Sequence, residues 1–195
     1  MKNLKNIIKT QLIKNWLKKY DIKNYTITDK GEIDVDASVG LSGYNIVEFP
    51  YYIQFGIIKG DFTCNRNKMV SLRGCPREVG GRFECYRNKL TSLEGAPEKV
   101  GELFDCSYNK LSSLKGAPKE VGGSFYSNHN NITTLEGAPE KIGGKFDCGS
   151  NNLTTLKGAP KEVGGNFECE NNNTQFTEDD VIKICKVKGK IYVNP

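Results

Sequence analysis

The stretch FECYRNKLTSLEGAPEKVGEL, residues 83–103, runs straight into FDCSYNKLSSLKGAPKEVGGS, residues 104–124. The two align without a gap, and the same frame extends in both directions. Phe62, Phe83, Phe104, Phe125, Phe146 and Phe167 therefore recur every 21 residues. A fixed period of roughly 20 to 50 residues marks a solenoid, in which each coil buries its apolar side only by stacking on its neighbours.

Within one coil, F-x-C alternates at period two. Phe83 and Cys85 therefore share one face of a short strand, and Glu84 takes the other. An asparagine follows in each coil (Asn67, Asn88, Asn109, Asn130, Asn151, Asn172) where the chain must turn. Its amide can pair backbone groups of its own coil and of the next. Leu72, Leu93, Leu114, Leu135 and Leu156 re-enter the core, and Gly-Ala-Pro (Gly-Cys-Pro at 74–76) then forbids a helix. Val79, Val100, Val121, Ile142 and Val163 point back inward, and the Gly-Gly pairs are expected to supply positive φ for the swing into the next coil.

The pattern F-x-C-x-x-N-x-L resembles the leucine-rich repeat L-x-L-x-x-N-x-L, with Phe and Cys in place of the first two leucines. The wording EGAP…VGG is similar to short repeats of bacterial effectors and of proteins from bacteriophages and their hosts. The resemblance covers about residues 39–174. It implies a leucine-rich-repeat solenoid, mainly strand and turn, with a parallel strand ladder on its concave side. It also implies a protein-binding role rather than chemistry, because a fold does not fix a partner.

Three charged columns fit such stacking. Arg73, Glu94, Lys115, Glu136 and Lys157 alternate in sign, as do the columns beginning at Arg77 and at Glu78. Coils about 4.8 Å apart would place like charges side by side without this alternation. Of the seven cysteines, Cys64, Cys85, Cys106, Cys148 and Cys169 share one repeat position. They read as reduced, buried thiols rather than disulfides or zinc ligands, whose pairs sit two to four residues apart.

An array needs caps. Leu4, Ile7, Ile8, Leu12, Ile13, Trp16, Leu17 and Tyr20 recur at helical spacing, which predicts an amphipathic capping helix over about residues 3–20. Two strands joined at Asp29-Lys30-Gly31 should follow, then a degenerate first coil marked by Val39, Leu41, Ile46 and Phe49. Thr177 is suited to cap a helix over EDDVIKICKV, and KIYV closes as a strand. The expected division is 1–38 for the basic helix-and-hairpin cap, 39–174 for the solenoid and 175–195 for the helix-strand cap.

The chain carries a formal net charge of +5. Residues 1–30 hold eight lysines and two aspartates, a local +6, so the excess lies on the arm. A basic helix can grip nucleic-acid phosphates or an acidic surface, which makes nucleic-acid binding the competing function; a passive structural protein is the third class. No apolar run approaches the roughly 20 residues that span a bilayer, and the N-terminus lacks a signal-like apolar block. No membrane contact is expected, and the expected location is the cytoplasm, the host cytoplasm if the chain is viral.

His129, the single histidine, occupies a slot that elsewhere holds Arg66, Arg87, Tyr108, Ser150 and Asn171, so neither catalysis nor metal binding is expected of it. The Gly-rich turns lack the Lys-Ser/Thr of a phosphate loop, and the aligned acids Glu84, Asp105, Asp147 and Glu168 need no acid-base role. No enzyme activity and no cofactor are expected. The expected function is a macromolecular partner bound on the concave sheet. Tyr86, Leu103, Tyr108 and Tyr126 would be the anchors, with Glu84, Arg87, Asp105, His129 and Asp147 as the rim. By resemblance, the partner is a host factor such as a defence nuclease, inhibited by a phage or mobile-element protein.

Overall fold

The structure is a computed structural model that describes residues 4–193. It is a solenoid of stacked coils with a helix at its N-terminal end. Each regular coil supplies two two-residue strands, and these stack into two separate ladders.

The first ladder is built on the phenylalanines. Val39–Gly40 pairs in parallel with Phe62–Thr63, and the series continues in register to Phe167–Glu168 and finally Ile191–Tyr192. Each phenylalanine lies directly beside the next and all six are fully buried. Ring centroids are 5.7 Å apart for Phe62–Phe83, 5.4 Å for Phe83–Phe104 and 5.1 Å for Phe104–Phe125, nearly face to face. The coil spacing sets these distances, and offset stacking is favourable at them. Further along the rings tilt, reaching 70° between Phe146 and Phe167.

The second ladder was not expected from the sequence. Phe55–Ile58, Glu78–Val79, Lys99–Val100, Glu120–Val121, Lys141–Ile142, Glu162–Val163 and Lys186–Val187 form a parallel series. The inward valines thus sit in strands rather than in a bare turn. At the N-terminal end Ile33–Val35 joins this ladder, and Tyr25–Ile27 pairs with it antiparallel as the anticipated hairpin.

Asparagine side chains tie coil to coil. Asn88 donates through Nδ2 to the carbonyls of Cys85 in its own coil and Cys64 in the preceding one, both at 3.0 Å. Its Oδ1 accepts from the Met69 N–H at 2.9 Å. Asn109, Asn130, Asn151 and Asn172 repeat the arrangement. Each side chain therefore satisfies one turn N–H and shares two carbonyls with the asparagines before and after it, and the coil it reaches is the preceding one rather than the next one expected.

The Gly-Gly expectation is corrected. Positive φ belongs to the glycine of Gly-Ala-Pro: Gly74, Gly95, Gly116, Gly137 and Gly158 lie between 85° and 95°. The first glycine of each later pair is required for close approach instead. A Cβ at Gly122 would overlap the Gly101 carbonyl, and one at Gly143 the Gly122 carbonyl. The charged columns meet as expected in Glu136–Lys157 at 2.7 Å, Glu140–Lys161 at 2.8 Å and Lys99–Glu120 at 3.1 Å, all exposed. All seven cysteines are free and buried, and burial pushes the Cys169 thiol up to about 12. Ser127 fills the cysteine column in its coil, donating through Oγ to the Asp147 carbonyl.

Both caps form. Helix α1, Leu4–Lys19, docks by Ile13, Trp16 and Leu17, and the Trp16 ring meets Phe49 and Phe55 edge-on. The expectation of one amphipathic face holds only for that half: Leu4, Ile7, Ile8 and Leu12 are exposed. Residue 3 of the expected helix lies outside the described residues. Helix α2, Glu178–Ile182, starts at Thr177 with a reciprocal capping box to Asp180, but it covers only half of the expected EDDVIKICKV helix, because Lys186–Val187 joins the second ladder as a strand.

Replacing Asn88 with alanine would strand the buried Met69 N–H and remove one of the two amide donors to each of the Cys64 and Cys85 carbonyls, which keep Asn67 and Asn109. A loss of about 1–3 kcal/mol is expected. Urea unfolding of the variant against the parent measures it, and a change under about 0.5 kcal/mol would remove the asparagine from the stacking account.

Candidate functional site

The strand position after each phenylalanine faces outward, and there the sign alternation seen in the other columns fails. Glu84 stands in register with Asp105, and Asp147 with Glu168. Like charges directly opposite one another in a ladder are unfavourable. Tyr126 separates the two pairs.

The pairs are handled differently. Lys145 reaches over from the residue before Phe146 and bridges the second pair, with Nζ 2.6 Å from Glu168 and 3.4 Å from Asp147. The same ammonium sits 5.3 Å from the centre of the Tyr126 ring. Burial alone would lower the Lys145 pKa, but Glu168 and Asp147 outweigh it and hold the pKa above the ordinary value. Arg82 occupies the equivalent place beside the first pair, yet its Nε pairs with Glu102 at 3.4 Å. Glu84 accepts from the Asn65 amide, and Asp105 accepts from the Ser107 N–H and Oγ. Both acids titrate above their ordinary values, chiefly through burial; Asp105 adds to the effect at Glu84, and Asp147 to that at Asp105.

Three residues further on lies a turn position with an unusual backbone. Arg66, Arg87, Tyr108, His129, Ser150 and Asn171 all have φ between 50° and 56°, in the left-handed region. Each of the first five donates its N–H to a carbonyl of the next coil, so the conformation is part of the ladder. Glycine and asparagine adopt it most readily. Four consecutive coils nevertheless carry Arg66, Arg87, Tyr108 and His129. The Tyr108 and His129 rings stack at 4.2 Å and 19°, and the Arg87 guanidinium lies 5.2 Å from the centre of the Tyr108 ring. Tyr108 remains 43% exposed.

The expected anchors are therefore distributed over neighbouring columns. Tyr86 is half-buried under Arg66, Tyr126 is half-buried under Lys145, and Tyr108 is held between Arg87 and His129. Leu103 is half-buried in the column before the phenylalanines. Glu84, Asp105 and Asp147 share one column, and Arg87 and His129 flank Tyr108 in another. The sequence reading missed Lys145 and the left-handed turn; Gly43 and Asn171 in that slot were the available hint.

No family model matches the chain, and neither a curated protein nor a solved structure is significantly similar to it. Among the described residues, no group of three or more His, Cys, Asp or Glu side chains is placed to hold a metal ion, and no helix is long and apolar enough to cross a membrane.

Glu84 and Asp105 have a pH signature with a definite sign. Their folded pKa values lie above those of the unfolded chain, so the folded state binds protons more tightly. The pair costs little stability below the ordinary carboxylate range, and its cost grows as pH rises through the raised values. Relative to the parent, the double variant Glu84→Gln, Asp105→Asn is expected to melt at a similar temperature near about pH 4 and about 1–3 °C higher near pH 7. Thermal unfolding across that range checks it, and a difference independent of pH would contradict the electrostatic reading.

Proposed function

We propose that the chain is a non-enzymatic protein-binding solenoid whose open phenylalanine-ladder face grips a macromolecular partner. The observation that carries this reading is the exposed Arg87–Tyr108–His129 stack. A large side chain in the left-handed region costs on the order of 1 kcal/mol over glycine or asparagine. Glycine and asparagine stand in this slot at Gly43 and Asn171, toward the two ends of the array, and Arg66, Arg87, Tyr108 and His129 stand together between them. Stacking returns some of that cost, yet it leaves a rigid aromatic surface flanked by charge, the usual composition of an interface anchor.

The acid pair Glu84–Asp105 supports a partner that brings a basic group. Within the same column, Lys145 meets the equivalent pair with an ammonium lying over a tyrosine ring. A lysine or arginine of a partner could meet Glu84 and Asp105 in the same manner and relieve their mutual repulsion. The repeat wording further supports assigning the solenoid to the leucine-rich-repeat type. Its phage-like form supports an inhibitor of a host factor, such as a defence nuclease, acting in the host cytoplasm.

Affinity capture from the native host followed by mass spectrometry would identify the partner. Tyr108→Asn then separates binding from folding, because asparagine suits the backbone at that turn. Unchanged or higher unfolding stability is expected together with a 10- to 100-fold weaker affinity, equivalent to about 1–3 kcal/mol. Full affinity in Tyr108→Asn, and in alanine variants of Tyr86, Leu103 and Tyr126, would move the interface off this face.

A further inference from the structure

Helix α1 has two apolar faces on opposite sides. At 100° per residue, Ile13, Trp16 and Leu17 project to one side, and they are buried on the first coil. Leu4, Ile7, Ile8 and Leu12 project to the other and are 69%, 53%, 52% and 37% exposed. Lys14 borders this outer stripe on one edge and Lys5 on the other, Lys18 and Lys19 continue the same face beyond it toward the C-terminal end, all are exposed, and the helix contains no acidic residue. Single exposed leucines need no explanation, but four aliphatic side chains aligned on one helix face, bordered by lysines, do.

We propose that the outer face of α1 rests on an anionic membrane surface. The aliphatic side chains would enter the boundary between headgroups and acyl chains, and the lysines would lie among the anionic headgroups. Three features of the helix favour this occupant. An aliphatic stripe requires an apolar medium, which a nucleic-acid backbone does not offer. A second copy of the chain would set lysines against lysines with no acid to receive them. The stripe lies opposite the docked side of the helix, where a flat surface can reach it. At 16 residues the helix is about 24 Å long and would lie in the interface plane rather than cross it. Four aliphatic side chains give weak insertion, so attachment depends on the anionic charge as a second contribution. This departs from the sequence expectation of no membrane contact. The stripe is separate from the phenylalanine-ladder face, so the two readings stand or fall independently.

The test is sedimentation of the full chain with vesicles of phosphatidylcholine alone and of phosphatidylcholine mixed with phosphatidylglycerol. Binding is expected to the mixed vesicles only, and to weaken as salt is raised. The double variant Ile7→Ser, Ile8→Ser and the triple variant Lys14→Gln, Lys18→Gln, Lys19→Gln should each reduce the bound fraction by about fivefold or more. Thermal unfolding of both should match the parent, because the replaced side chains are exposed. Failure to bind mixed vesicles would overturn the proposal. So would binding lost in the lysine variant but intact in the isoleucine variant, which is plain charge attraction of the kind nucleic acid would also show. A lipid-free dimer in analytical ultracentrifugation that the isoleucine variant dissolves would assign the face to a second copy and overturn it equally.

Discussion

Every coil of this chain must lie one strand spacing, about 4.8 Å, from the next, and the asparagine side chain is the group that makes this possible at the turn. The two short strands in each coil leave many backbone groups to be paired elsewhere. An amide that donates to two carbonyls and accepts from one N–H joins adjacent coils at the turn, between the backbone bonds of the residues on either side. Once the spacing is set, other choices follow from it. Phenylalanine rings can stack, glycine must stand where one backbone passes over another's carbonyl, and charges that alternate down a column can pair.

The places where these rules are broken are the informative ones. Glu84 and Asp105 are half-buried like charges in register, whereas the columns beginning at Arg73, Arg77 and Glu78 alternate. Tyr108 and His129 take a backbone conformation better suited to asparagine. Both departures fall in neighbouring coils beside the phenylalanine ladder, and the Tyr108–His129 ring contact offsets only part of the backbone cost. The proposed binding role would account for both, since binding rather than stability would then have selected the side chains.

The solenoid, its 21-residue period, the asparagine contacts and the N-terminal helix were legible because they depend on spacing that the sequence states outright. The second ladder was not. Its strands are two residues long, such as Glu120–Val121, and two residues show no periodicity. The Gly-Gly pairs were assigned to positive φ because composition cannot separate conformational freedom from close approach; only the neighbouring carbonyl does so. Helix α1 misled for a geometric reason. Leu4, Ile8, Leu12 and Trp16 are each four residues apart, but that step advances 40° beyond a full turn, so the row winds from the outer face to the buried one. Within the candidate site, the alignment of Glu84 with Asp105 followed from the repeat. The reach of Lys145 and the stacking of Tyr108 on His129 depend on rotamers that the repeat does not fix.

The most direct measurement of the central claim is amide hydrogen exchange, resolved residue by residue. The N–H groups of Met69, Leu90, Leu111, Ile132 and Leu153 lie outside both ladders and are bonded to asparagine Oδ1 atoms of the following coil. If asparagine bridges hold the coils together, these amides should exchange as slowly as those of Phe83, Phe104 and Phe125 within the ladder. Exchange at the rate of an exposed turn, with only the phenylalanine amides protected, would contradict the account.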